Sequence, residues 1–184
     1  MSKKITLKKE DLINSYFLYA AGYYESGMDL INLLLDEKRY AELPNPFRRE
    51  TIELEEQCKL YPMLFLFRQY VELMIKALYL HFDIIEDDKE LQNIFNNHSL
   101  KDIWEKLKNT LIKIDEEGTD EEDSFVYFLN PTVNYFILVD NDSYHFRYPT
   151  DKKLNFYFKK NQIYDLNKIY YMIKEFDENI HYYL

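Results

Sequence analysis

The chain has 184 residues, enough for one domain around one core, and 47% of them are hydrophobic and 17% aromatic, too much apolar material for a disordered chain. Its net charge of −10 opposes nucleic acid on average, so any such contact needs a local basic patch. With 3 Gly, 5 Pro and 1 Cys, it lacks the residues of a turn-rich sandwich or barrel, a Gly-rich phosphate loop or a disulfide framework.

Taken in chain order, Leu12, Tyr16, Tyr19, Tyr23, Leu30, Leu33 and Leu34 recur at helical spacing and predict a helix over about residues 7–36, single or divided near Gly22 and Gly27. Leu43-Pro44-Asn45-Pro46 reads as an extended connection, and a helix resumes after Arg49. Pro62 has φ preset for a first helical turn, so the pattern predicts that it opens a helix over Met63 to Phe82. That helix is apolar except for Arg68, Gln69, Glu72 and Lys76, which fall within about 100° of one another on a helical wheel.

Asn96-Asn97-His98-Ser99 is a capping cluster ahead of an amphipathic helix through Leu100, Ile103, Trp104, Leu107 and Leu111. Glu86-Asp87-Asp88 and the acidic run Asp115 to Asp123 read as solvated loops. Phe125 to Val139 is aromatic and β-branched around Pro131, which predicts short helices, with a strand as the alternative. Residues 140–160 lack a helical period and read as an irregular segment or a short hairpin involving Phe156-Tyr157-Phe158. Asp165 caps a last helix through Leu166, Ile169, Tyr170, Ile173 and Phe176. The expected fold is a single domain over residues 1–184, mostly all-α, an antiparallel bundle of four to five helices.

Met1-Ser2-Lys3-Lys4 leads into no apolar leader, and the longest apolar runs, such as Met63 to Phe67, are too short for a bilayer. A cytoplasmic protein without membrane contact is expected. The four histidines, His81, His98, His145 and His181, lack metal-ligand spacing, so neither a metal nor another cofactor is expected. Asp140-Asn141-Asp142-Ser143 starts like a calcium loop but lacks its Gly and bidentate Glu, and is read as turn chemistry.

Three polar marks stand out from this apolar background. Arg68, Glu72 and Lys76 either form a self-contained i,i+4 ladder or line a cleft. His98 either caps a helix or offers an acid–base group. Arg147, held between aromatics in Phe146-Arg147-Tyr148-Pro149, suits stacking, phosphate or carboxylate recognition, or a buried pairing with Asp142 or Glu72. Asp142 and Ser143 are further binding candidates.

The run from Tyr61-Pro62-Met63-Leu64-Phe65-Leu66-Phe67-Arg68-Gln69-Tyr70-Val71-Glu72-Leu73 through Lys76-Ala77-Leu78, then His98-Ser99-Leu100 and Phe146-Arg147-Tyr148-Pro149, resembles the HEPN-like helical proteins of prokaryotes across residues 10 to 180. The resemblance implies a bundle of four or five antiparallel helices, often a homodimer, in toxin–antitoxin, phage-defence or RNA-processing systems. Active members resemble metal-independent ribonucleases with an Arg followed four to six residues later by a His on one helix. Here Arg68 is followed by no His before His81, and Arg147 by none before His181, so that pair is not carried over. Three readings stand: a helical module acting by RNA or protein contact, a ribonuclease with a noncontiguous site of Arg68, His98 and Arg147 in which Glu72 orients one cation, and an interaction subunit unrelated to RNA.

Overall fold

The computed structural model describes residues 9–41, 49–82, 84, 88–115, 125–148, 150–155 and 164–182. Six helices run through them: α1 (Lys9–Ala41), α2 (Arg49–His81), α3 (Asp88–Asn96), α4 (Leu100–Asp115), α5 (Phe125–Asp140) and α6 (Leu166–Tyr182). No strand occurs among the described residues, and the architecture is an all-α bundle. The sixth helix relative to the expected four or five is the short α3, which buries Ile94 and sets Phe95 edge-on to Tyr16 of α1. Leu43-Pro44-Asn45-Pro46, Glu86-Asp87, the acidic run beyond Asp115 and Phe156-Tyr157-Phe158 lie outside the described residues.

α1 is one helix, unbroken at Gly22 or Gly27. It runs antiparallel to α2, since Tyr24 meets Tyr70 while Gly27 abuts Phe67. A Cβ on Gly27 would come within 2.5 Å of the buried Phe67 ring, so the missing side chain sets how closely these two helices approach.

α2 departs from its predicted start. It begins at Arg49, and Pro62 lies inside it. Pro131 likewise lies inside α5, a single helix where short helices or a strand were expected. Both prolines are exposed, so each ring sits on the water-facing side of its helix. In α5, Phe125, Leu129, Val133, Phe136 and Asp140 share the buried stripe, and this three-to-four residue spacing overrides the β-prone composition.

α2 is the central element, touching α1, α4 and α5 and burying Met63, Leu64, Phe67, Tyr70, Val71, Met74, Ile75, Leu78 and Tyr79. α6 starts with Asp165 Oδ1 accepting from the Lys168 N–H at 3.1 Å, the expected cap. It buries Ile169, Ile173, Phe176 and Ile180, and Asp177 accepts the Tyr70 hydroxyl at 2.6 Å, which ties α6 to α2. Among the described residues no helix is long and apolar enough to cross a membrane.

Candidate functional site

One face of α2 carries Phe65, Arg68, Gln69, Glu72 and Lys76, and the connection before α4 and the end of α5 both close onto it. Arg68 and Glu72 are 0% and 1% exposed. Glu72 Oε2 accepts from Arg68 Nη1 at 2.7 Å, and Glu72 Oε1 accepts from Lys76 Nζ at 2.7 Å, so the i,i+4 pairs form. They are not self-contained. Arg68 Nε donates to the Asp140 carbonyl at 2.8 Å, and Nη2 donates to the carbonyls of His98 and Asn141 at 2.7 and 2.8 Å. Lys76 Nζ also reaches the Phe95 carbonyl at 3.1 Å.

The reason for burial lies in those carbonyls. The end of α5 presents acceptors that its own helix does not satisfy and carries the negative end of the helix dipole. A planar guanidinium is suited to bind several such acceptors at once. Desolvation pushes the Glu72 carboxyl up, but the charges and hydrogen bonds of Arg68 and Lys76 outweigh it and hold the group below the ordinary carboxylate value. Nearby Tyr16 is pushed up, by burial first and then by the Glu72 charge.

Asn141 joins the two helix ends. Its carbonyl accepts from the Leu100 N–H at 2.9 Å as well as from Arg68, its Oδ1 accepts from the Lys101 N–H at 2.8 Å, and its Nδ2 donates to Ser99 Oγ at 3.1 Å. Ser99 Oγ in turn accepts from the Asp102 N–H, so α4 begins at the predicted capping cluster. His98 does not donate to or cap that helix with its ring. Its Nδ1 lies 2.9 Å from Glu72 Oε1, and its side chain is 55% exposed.

Beyond α5 the chain makes a compact turn over residues 141–147. The buried Asp140 carboxylate accepts from the Tyr144 and His145 N–H groups at 2.8 and 3.0 Å. Ser143 is buried with φ of 60°, in the left-handed region, and its Oγ accepts from Gln69 Nε2 of α2. Asp142 is exposed and accepts only from its neighbour Asn141 in the hydrogen bonds seen here. Turn chemistry thus accounts for the Asp140–Ser143 run.

Arg147 is exposed and pairs with neither Asp142 nor Glu72. Its Nε donates to the Ser143 carbonyl, and its guanidinium lies over the rings of Tyr144, Tyr148 and Phe65 at 5.3, 5.8 and 5.9 Å. Tyr144 and Tyr148 are 45% and 52% exposed. Arg147 thus stands at the level of Phe65 and His98 at that of Glu72, about 10 Å further along the α2 axis.

The structure therefore gathers Arg68, Glu72, Lys76 and His98 into one network and sets Arg147 and Ser143 beside it, with Asp142 at its edge. Arg68 and Lys76 are consumed within the fold, while His98, Arg147 and Asp142 reach solvent. Among the described residues no group of His, Cys, Asp and Glu has the makings of a metal site. Sequence reasoning read Asp140 and Asn141 as turn residues but not as the acceptors that hold Arg68, because their place at the end of a helix was not yet delimited. An open cavity of about 600 Å³ between α3 and α4, lined by Tyr79, Lys89, Asn93, Asn97 and Lys106 among others, does not include His98 or Arg147. Comparison with family models, curated proteins and solved structures finds no match for this chain.

Proposed function

We propose that this chain is a HEPN-like helical module that acts by contact with RNA or a partner protein, in a prokaryotic defence or toxin–antitoxin setting and as a homodimer. The observation that carries this reading is Arg147, a solvent-facing guanidinium held on aromatic rings with no ion pair among the described residues. In a chain of net charge −10, that is the local exception a contact with an anionic partner needs. Exposed Tyr144 and Tyr148 add flat surface for stacking. The test is fluorescence anisotropy of labelled single-stranded RNA in EDTA, run beside a pull-down for protein partners. Arg147→Ala should weaken the contact about tenfold or more, the value of one charge-assisted hydrogen bond. Wild-type protein that captures neither RNA nor a protein would end this reading.

A second reading, a metal-independent ribonuclease, is favoured by one observation: the exposed imidazole of His98 is anchored on a buried carboxylate. It predicts that a mixed RNA pool is degraded in EDTA and that His98→Ala abolishes the degradation. Arg68 takes no part in that chemistry in this reading, because all its surface is enclosed. Degradation undiminished in His98→Ala would remove the site assignment.

A further inference from the structure

We propose that Glu72 is a positioning residue for His98, which it fixes as the Nδ1–H tautomer, so that Nε2 is the proton-accepting atom turned toward a substrate hydroxyl. His98 Nδ1 lies 2.9 Å from Glu72 Oε1. An ionised carboxylate only accepts, so the nitrogen facing it must carry the proton and donate. Arg68 and Lys76, each at 2.7 Å, hold Glu72 in the ionised form. In a neutral imidazole the lone pair then lies on Nε2.

A structural role alone explains this contact poorly. One carboxylate already faces two cations, so Glu72 needs no further partner for charge. The backbone of the same histidine is gripped as well, because its carbonyl accepts from Arg68 Nη2 at 2.7 Å. An exposed histidine is thus held at its ring Nδ1 and at its main chain by groups with almost no exposure of their own, whereas an exposed side chain ordinarily keeps its rotamer freedom. Nδ1 of His145 faces the Val139 carbonyl, and that of His181 faces the Asp177 carbonyl at 2.9 Å with the partly exposed Asp177 carboxylate at 3.5 Å, so each meets a main-chain carbonyl where that of His98 meets a buried carboxylate.

Such a clamp suits proton transfer, which depends on a base held within hydrogen-bond reach of the proton it takes. A substrate hydroxyl would pass its proton to Nε2 as its oxygen bonds to the adjacent phosphorus and the bond from that phosphorus to the departing oxygen breaks. The imidazolium formed would keep its Nδ1–H on Glu72 and return to neutral by giving the Nε2 proton to the departing oxygen, directly or through water. This deepens the ribonuclease reading above, yet the tautomer is read without any RNA being cleaved.

The experiment is a long-range proton–nitrogen NMR correlation of the histidine rings in the full chain, with the His98 signals identified by their loss in His98→Gln. The expected result is a protonated, pyrrole-type Nδ1 and an unprotonated, pyridine-type Nε2 in the neutral ring. The reverse assignment, or two nitrogens averaged between tautomers, overturns the proposal. In Glu72→Gln that remains folded, His98 should move toward the average, and an unchanged pattern there denies Glu72 its role. If that variant does not fold, the wild-type spectrum decides. RNA left intact by a protein with the expected spectrum ends the ribonuclease reading alone, and RNA cleavage with the reversed spectrum ends this proposal alone.

Discussion

Glu72 shows why charges so deep in a helical protein remain charged. Removing it as Glu72→Ala leaves Arg68 and Lys76 enclosed without a counter-charge, a change of about 3–5 kcal/mol against folding, to be read by urea denaturation. Acid acts on the same group. Because its folded-state value lies below the ordinary 4.5, its contribution is present above that pH and is lost as pH falls through the lowered value, so the midpoint in urea should drop across that acid range. A Glu72→Ala protein as stable as wild type would show that the network contributes nothing. Arg68→Lys should be nearly as damaging as deletion, since an ammonium cannot span acceptors on α2, on the connection before α4 and at the end of α5 as a guanidinium does.

Single helices show how little of a helix's context its own residues reveal. Gly22 and Gly27 lie on one helix, five positions apart, and look alike in sequence, yet a Cβ at Gly22 meets nothing within 4 Å while one at Gly27 strikes Phe67. Gly22→Ala should therefore stabilise by about 0.5–1 kcal/mol through helix propensity. Gly27→Ala should destabilise by about 1–3 kcal/mol through overpacking of α1 on α2. Thermal unfolding of both variants checks the pair, and equal effects would refute the packing account. Between α2 and α6, Tyr70→Phe removes the hydroxyl that Asp177 accepts and should cost about 1 kcal/mol.

For the molecule as a whole, the abundance of tyrosine has a consequence in alkali. Burial, and then Asp177, pushes the Tyr24 phenol up to about 12, and burial does the same for Tyr135. A group whose folded-state value exceeds its ordinary 10.0 stabilises fully below that pH and loses its contribution as pH rises toward 12. Unfolding should therefore set in between about pH 10 and 12, followed by Trp104 fluorescence, with Tyr24→Phe shifting the onset upward. The all-α class, the capping cluster ahead of Leu100, the cap at Asp165 and the polar stripe on α2 were all legible in the residues. They depend on local rules: few glycines, oxygen-bearing side chains ahead of apolar runs, and spacings of three and four. The interior prolines were misread because whether Pro62 or Pro131 ends a helix depends on which side faces water, and that is decided by packing. The same holds for the site. Sequence alone determined that Arg68, Glu72 and Lys76 could pair along one helix. Only the tertiary structure decided that helix-end carbonyls from Asp140 and Asn141 would bury Arg68, and that His98 rather than either buried cation would meet solvent, because those partners lie from 26 to 73 residues away in the chain and meet only when the bundle closes.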